Sequence, residues 1–233
     1  MGLEVRYMNV SVIIPAFNEE ESIGKVIADI PKACVQEIIV VDNGCLDRTA
    51  EVARAAGARV VREEHRGYGS ACLAGIAVLN APEIVVFLDG DYSDFPSEMP
   101  LLLQPILTGD AEMVIGSRIR GVREKGALLP QARFGNALAT FLIRLLFHVH
   151  YTDLGPFRAI RHERLLAMDM QDKTFGWTVE MQVKAAKMGL RVCEVPVSYR
   201  KRIGQSKITG TVKGTILAGY KIITTILRYG LVR

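Results

Sequence analysis

The sequence has few of the features that mark a secreted or a membrane-spanning protein. Its 233 residues include only 4 cysteines, which are scattered and form no pair at metal-binding or redox spacing. This usage is typical of the reduced thiols of a cytosolic protein. No stretch reaches the ~18 uninterrupted apolar residues of a spanning helix, and Glu4 and Arg6 interrupt any signal peptide. We therefore expect a cytoplasmic protein.

The glycine-rich turn of a dinucleotide-binding fold is also missing. The first predicted strand, Val10–Pro15, continues into Ala16, Phe17 and Asn18 without a glycine. Gly67-Tyr68-Gly69 begins like the fingerprint, but Cys72 stands where its third glycine or alanine belongs. These departures exclude a Rossmann dehydrogenase.

Acidic residues are absent after Glu194, whereas basic residues continue: Arg200, Lys201, Arg202, Lys207, Lys213, Lys221, Arg228 and Arg233. On a C-terminal helix, an apolar stripe forms from Ile216, Tyr220, Ile223 and Leu227, and Lys213, Lys221 and Arg228 lie on the neighbouring face. Such a helix suits an anionic membrane surface. A helix that packs on the core and leaves its basic edge solvated is an equally good alternative to a membrane-surface helix. Because no stacking aromatics are interleaved with the basic residues, we expect no nucleic-acid partner.

What the sequence does contain is an alternation of strands and helices. Strands are predicted at Val10–Pro15, Glu37–Asp42, Arg59–Arg62, Ile84–Leu88, Met113–Ser117 and Arg191–Val197. Helices are predicted after an Asn18–Glu21 capping box, at Thr49–Ala56, Gly69–Leu79, Ser97–Leu107 and Phe134–Phe147, around Glu180 and at the C-terminus. This rhythm predicts an α/β fold with a mainly parallel central sheet flanked by helices.

The most informative motif is Asp89-Gly90-Asp91, which directly follows the apolar run Ile84–Leu88. Ligands of open α/β sheets bind at the carboxyl ends of such strands. Two carboxylates at positions i and i+2 point to the same side of an extended chain, and hard oxygen donors suit Mg²⁺ or Mn²⁺. By itself the triplet is also compatible with an ordinary strand-end turn.

Several linked motifs, in order, carry a family resemblance over about residues 10–220. They are Val12–Glu20, Val40–Gly44 with Asp47, Gly67–Ala71, Asp89–Asp91, Gly116–Arg118, Asp153–Arg158 and Tyr199–Lys207. The chain resembles family-2 glycosyltransferases of GT-A fold, especially the dolichyl- and polyprenyl-phosphate mannosyl- and glucosyltransferases. The resemblance implies inverting transfer of a hexose from a nucleotide sugar, UDP-glucose or GDP-mannose, to a polyprenyl phosphate.

The resemblance also assigns site residues. It implies catalytic roles for Asp91, Arg118, Arg202 and Asp153, and a Mg²⁺ or Mn²⁺ ion held by Asp89 and Asp91. The nucleotide-sugar site would comprise Pro15, Ala16, Asn18, Glu19, Asp42, Asp89, Gly90 and Lys207. The acceptor phosphate would be bound by Arg158 and Ser206. For Asp42 and Asp47, turn formation or helix capping is the alternative to a site role.

No linker divides the chain, so we expect one domain spanning residues 1–233. Its donor-binding half would cover about 8–120, its acceptor-binding half about 121–210, and an amphipathic helix about 211–229. We expect the protein to meet the cytoplasmic face of a membrane, either by peripheral contact or through a membrane-protein partner.

Two alternatives remain open. An acceptor hydroxyl would require a carboxylate base, for which Glu180 is the candidate, and a nucleotide-sugar-binding subunit without catalysis is the other possibility. One departure from many mannosyl relatives bears on the metal geometry: Ser93 stands where they carry glutamine.

Overall fold

A computed structural model describes residues 9–204 and 212–231. Its strands are β1 (Val10–Ala16), β2 (Glu37–Asp42), β3 (Arg59–Arg62), β4 (Ile84–Phe87), β5 (Met113–Ser117), β6 (Arg158–Arg161) and β7 (Val192–Pro196). Its α-helices are α1 (Ile23–Asp29), α2 (Thr49–Ala55), α3 (Tyr68–Ala77), α4 (Met99–Leu107), α5 (Pro130–Phe147), α6 (His162–Met168), α7 (Trp177–Lys187) and α8 (Val212–Leu231). Short 3₁₀ turns occupy Lys32–Cys34 and Pro96–Glu98.

The strands form one sheet in the order β3-β2-β1-β4-β6-β5-β7. Every neighbouring pair is parallel except the two that involve β6, which runs antiparallel to β4 and β5. The carboxyl ends of β1, β2, β4 and β5 consequently meet at one edge of the sheet. The loops that carry the predicted site residues leave from this edge.

Both faces of the sheet are covered, which explains why its central strands read as continuous apolar runs. Ile14 and Val86 belong to the apolar layer under α1 and α4, whereas Ile13 and Phe87 belong to the layer under α3, α5 and α7. All four of these side chains are essentially inaccessible to solvent. The sheet is therefore a rigid base for the loops at its edge.

The predicted α/β class and mainly parallel sheet are confirmed, and most predicted elements lie within a few residues of their observed bounds. Strand β6 and helix α6 were not predicted, because the strand is four residues long with an arginine at each end and shows no apolar run. The predicted capping box at Asn18 is wrong. Asn18 has a φ of 53° and its Oδ1 accepts the Leu46 N–H, so α1 begins later, at Ile23.

Helix α8 presents apolar side chains in two directions. Ile226 is fully buried and Ile222 packs on the core beneath α5 and α7, whereas Tyr220 and Leu227 of the predicted stripe are exposed. The side chains of Lys213 and Ile216 lie outside the described part of the chain. Among the described helices, none is long and apolar enough to cross a membrane.

Candidate functional site

A cavity of about 440 Å³ opens where β1, β2 and β4 end. Its lining combines apolar residues and glycines with carboxylates and two arginines. The lining residues are Pro15, Ala16, Phe17, Glu19, Asn43, Arg66, Gly67, Tyr68, Ala71, Asp89, Gly90, Asp91, Thr174, Phe175 and Arg202. The position is the one at which ligands bind in open α/β sheets.

Asp91 connects the end of β4 to the segment after β7. Its Oδ1 accepts the Ser93 N–H at 2.9 Å and the Ser93 hydroxyl at 2.5 Å, and its Oδ2 pairs with the Arg202 guanidinium at 2.7 Å. The backbone oxygen of Asp91 also accepts the Ile203 N–H at 2.9 Å. These bonds hold Asp91 and Arg202 in direct contact, although the two residues are distant in sequence.

Asp89 stands next to this pair and accepts a hydrogen bond from the Tyr68 hydroxyl at 3.0 Å. Burial, and then the Asp91 charge, raise the pKa of Asp89 from its ordinary 3.8 to about 7, although Arg202, Tyr68 and Arg118 act in the opposite direction. A pair of carboxylates whose charges disfavour each other in this way is suited to receive a cation.

We expect the raised pKa of Asp89 to make the metal-free protein less stable as pH rises. Between about pH 4 and 7 the folded protein retains a proton that the unfolded chain releases, so the free energy of unfolding falls across this window. Asp89→Asn keeps the acceptor for Tyr68 but removes the charge. From pH 5 to pH 8 in EDTA, wild type should lose on the order of 2 kcal/mol more than the variant in urea denaturation. Equal losses would contradict the raised pKa.

Sequence reasoning missed a third carboxylate, Asp94. It is 1% exposed, and its Oδ1 has no hydrogen-bond partner among the described residues. Burial, followed by the charges of Asp89 and Asp91, raises the pKa of Asp94 well above its ordinary value. The sequence shows that Asp94 lies three residues after Asp91. It does not show that the chain turns at Tyr92, which has a φ of 64°.

The loops after β1 and β2 are fastened to each other. The Asn18 N–H donates to the Cys45 thiol at 3.3 Å, and the Glu19 N–H donates to the Thr49 hydroxyl at 2.7 Å. Asp42 is nearly buried, and its Oδ1 accepts the Cys45 N–H at 2.7 Å. Glu19 lines the cavity, whereas Asn18 and Asp42 do not belong to its lining and instead accept backbone N–H groups of the loop after β2.

A cation–π pair that the sequence did not predict lies in the lining of the cavity. The Arg66 guanidinium lies 3.6 Å from the centre of the Phe17 ring. Asn43 fixes the approach of this segment, because its side chain donates to the His65 carbonyl at 2.8 Å and accepts the Gly67 N–H at 2.8 Å. The stacking joins the loops after β1 and β3, Asn43 supports it from the loop after β2, and no local pattern predicts this arrangement.

Arg118 and Asp153 form a two-point ion pair beside the cavity. The guanidinium reaches both carboxylate oxygens, at 2.8 and 2.7 Å, and the Arg118 N–H donates to the same carboxylate at 2.8 Å. Asp153 is completely buried. The charge of Arg118 lowers the pKa of Asp89. Asp153 therefore orients a guanidinium group whose charge acts on the carboxylates of the cavity.

Arg158, predicted to bind the acceptor phosphate, is buried in the middle of the fold. It is 0% exposed, and its guanidinium donates to the carbonyl oxygens of Leu154, Gly155 and Thr178. In this position it stabilises the turn before β6 and has no surface open to a ligand. Ser206 and Lys207 lie outside the described residues.

A second groove, of about 630 Å³, lies along α5. It contains exposed aromatic side chains, Phe134 and Phe141, together with Arg133, Arg144 and His150. Ile119 and Thr152 also line it, and these residues adjoin Arg118 and Asp153 in sequence. Two residues that line this amphipathic groove are thus the sequence neighbours of the ion pair.

The residues present fit a divalent cation that a substrate helps to bind. Asp89 and Asp91 offer hard oxygen donors, and no group of three or more acidic, histidine or cysteine ligands occurs within the described ranges. Mg²⁺ is commonly held by one or two carboxylates plus substrate phosphates rather than by an all-protein cage. Asp91 is bonded to Arg202 in this structure, so cation binding at its Oδ2 requires that pair to rearrange.

Several known proteins are similar to this chain over most of its length. A dolichyl-phosphate hexose transferase of Haloferax volcanii is 37% identical over 214 residues, covering 88% of this chain and 89% of the relative. An undecaprenyl-phosphate mannosyltransferase of Micrococcus luteus is 32% identical over 239 residues, covering 96% and 95%.

Among solved structures, glucosyl-3-phosphoglycerate synthase of Mycobacterium tuberculosis, in complex with Mn²⁺, UDP-glucose and phosphoglyceric acid, matches with a TM-score of 0.76. It is 25% identical, and the match covers 97% of this chain and 81% of that one. The fold is thus that of the GT-A glycosyltransferases. The model of the family described as Glycosyl transferase family 2 matches residues 11–167, and the chain belongs to this family.

Proposed function

We propose that the protein transfers a hexose from a nucleotide sugar to a polyprenyl phosphate, with inversion at the anomeric carbon. The observation that carries the proposal is the meeting of Asp89, Asp91 and Arg202 in one cavity at the carboxyl edge of the sheet. An amphipathic groove along α5 is lined by Ile119 and Thr152, the sequence neighbours of Arg118 and Asp153. The names of the Haloferax and Micrococcus relatives support a lipid-phosphate acceptor.

In this proposal the donor lies along the cavity from Phe17 towards Asp91. Pro15, Ala16 and Glu19 contact the nucleoside, and Asp89, Gly90 and Asp91 face the diphosphate. Asp89 and Asp91 would hold a divalent cation, Mg²⁺ or Mn²⁺, which would supply Lewis-acid stabilisation of the leaving diphosphate. Arg202 adds a fixed positive charge there, which favours the transition state as the glycosidic bond breaks. Lys207 is proposed to extend the same basic segment.

The acceptor phosphate is proposed to meet Arg118, with Asp153 holding the guanidinium in position. A phosphate monoester has a second pKa of about 6, so it is largely ionised at neutral pH and attacks without a protein base. Glu180, the candidate base for a hydroxyl acceptor, is fully buried and accepts backbone N–H groups, and the carboxylate of Asp153 is paired with Arg118. This arrangement favours a phosphate over a hydroxyl acceptor.

The activity is tested by incubating the protein with UDP-glucose, GDP-mannose or another nucleotide sugar, a polyprenyl phosphate, and Mg²⁺ or Mn²⁺. Formation of a chloroform-extractable glycolipid from one donor is the expected result, and it identifies the sugar. Metal-dependent binding of a nucleotide sugar without product would instead support a non-catalytic subunit.

A second candidate is transfer to a hydroxyl of a small phosphorylated acid. The structural match to the Mycobacterium tuberculosis synthase, captured with phosphoglyceric acid, favours it. The two candidates share the donor cavity and differ only in the acceptor, so acceptor competition separates them.

We also propose peripheral membrane contact through exposed apolar residues of α5 and α8. Phe134 and Phe141 are 72% and 59% exposed and lie seven residues apart, on one side of α5. Arg144 and Arg228 provide positive charge on the same two helices. Apolar and basic side chains in combination suit an anionic lipid surface.

The protein is expected to co-sediment with phosphatidylglycerol-containing vesicles at low salt and to dissociate as salt screens the basic residues. The double variant Phe134→Asp/Phe141→Asp should lose most of this binding, because it removes apolar area and adds negative charge. Leu166→Asp on α6, where the leucine is 55% exposed, is the matched control and should bind normally. No sedimentation of wild type at low salt would count against membrane contact.

A further inference from the structure

The Gly67-Tyr68-Gly69 segment at the start of α3 provides a docking place for a distant loop. A Cβ atom on Gly67 would lie 2.1 Å from the Lys173 carbonyl oxygen, and one on Gly69 would lie 1.9 Å from the Asp172 carbonyl oxygen. Only glycine leaves room for this approach. We call residues 171–175 the wall loop.

The wall loop forms part of the candidate donor cavity. The Gly69 N–H donates to the Thr174 carbonyl at 3.2 Å, and both Thr174 and Phe175 line the cavity. Tyr68, which lies between the two glycines, donates its hydroxyl to Asp89. The position of the wall loop therefore affects the shape of the cavity and the setting of Asp89.

Glu180 fastens the wall loop from the opposite side. This carboxylate is 0% exposed and accepts the Gln171 N–H at 2.9 Å and the Asp172 N–H at 2.7 Å. It also accepts the hydroxyl of Tyr229, a residue of α8, at 2.7 Å, and pairs with Lys184 at 2.8 Å. Tyr229 is thus linked to the backbone of the wall loop through a single side chain, the carboxylate of Glu180.

A second residue of α8 contacts the loop directly. Lys221 pairs with Asp172 Oδ2 at 3.0 Å, while the other carboxylate oxygen of Asp172 accepts the N–H groups of Thr174 and Gly176 at 2.7 and 3.1 Å. Because this carboxylate is 7% exposed, its contact with Lys221 is less screened than a surface ion pair.

We infer that Tyr229 and Lys221 are positioning residues for the donor cavity: through Glu180 and Asp172, helix α8 holds the wall loop against the glycines of α3. The identity of the ligand in this inference rests on the proposed function. By linkage, a nucleotide that binds better to the held loop also strengthens the contacts of α8. Its binding should then slow amide exchange in residues 220–229.

The first test uses hydrogen exchange without ligand. Tyr229→Phe removes only the hydroxyl, and Tyr220→Phe, at a 68% exposed tyrosine of the same helix, is the matched control. We expect faster exchange of the amides of residues 171–176 in Tyr229→Phe and no change in the control. Unchanged exchange in Tyr229→Phe would overturn the inference, whether or not the protein binds nucleotides.

The second test titrates UDP and GDP, each with Mn²⁺, by calorimetry. For whichever nucleotide wild type binds, we expect Tyr229→Phe and Lys221→Met to raise Kd about tenfold, which corresponds to about 1.4 kcal/mol, and Tyr220→Phe to leave it unchanged. A lowered Tm with an unaltered Kd would show a merely structural role and overturn the inference. If wild type binds neither nucleotide, the proposed function fails, and the exchange experiment still decides whether α8 holds the loop.

Discussion

Asp91→Ala should reduce glycosyl transfer by at least ~1000-fold, in line with the loss of a metal ligand and of charge stabilisation in the transition state. The substitution removes one of the two proposed metal-binding carboxylates and the partner of Arg202. The fold should persist, because Asp91 bonds mainly to the adjacent Ser93 and to a partly exposed arginine. Loss of the Asp91 charge also relieves the repulsion on Asp89.

Initial rates of glycolipid formation measure this effect, and circular dichroism with thermal denaturation checks the fold. Asp110→Ala, at an exposed aspartate before β5, is a suitable control and should retain wild-type activity. Near-normal turnover by folded Asp91→Ala would refute the role given to this carboxylate.

Asp153→Ala should lower the free energy of unfolding by about 3–5 kcal/mol, the cost typical of breaking a buried ion pair. The guanidinium of Arg118 is only 13% exposed and directs two donors at the Asp153 carboxylate. Without that carboxylate, a nearly buried charge is left uncompensated. Urea denaturation at pH 7 measures the loss.

The double variant Arg118→Met/Asp153→Ala provides the control. The double variant removes both charges. Its loss of unfolding free energy should therefore be smaller, by about 1–3 kcal/mol, than the summed losses of the Arg118→Met and Asp153→Ala single variants. Transfer activity should remain low in the double variant, because the Arg118 guanidinium that is proposed to bind the acceptor phosphate is gone. A loss below about 1 kcal/mol for Asp153→Ala alone would contradict the buried-pair account.

The sequence was sufficient to predict the fold class and to place two carboxylates at the carboxyl edge of the sheet. Asp89 and Asp91 follow a buried apolar strand, and the general rule for strand ends places them at the ligand-binding edge. Arg202 could be associated with them only through the family resemblance, because more than a hundred residues separate it from Asp91. The structure brings this arginine within 2.7 Å of the carboxylate.

Other parts of the site depend on tertiary packing that a single sequence does not encode locally. Arg158 looked like a phosphate ligand in a loop motif, yet β6 carries it between β4 and β5, where its guanidinium is buried. The stacking of Arg66 on Phe17 joins two separate loops. Glu180, considered as a possible base, instead binds backbone N–H groups and Tyr229.

The central claim, that the acceptor is a lipid phosphate, is tested most directly by acceptor competition with a single labelled nucleotide sugar. A polyprenyl phosphate, the corresponding polyprenol and 3-phosphoglycerate are offered at equal concentrations with Mn²⁺, and each product is quantified. We predict label in the polyprenyl-phosphate product alone, because the ionised phosphate needs no protein base. Transfer to 3-phosphoglycerate or to the polyprenol, with none to the polyprenyl phosphate, would contradict the proposed function.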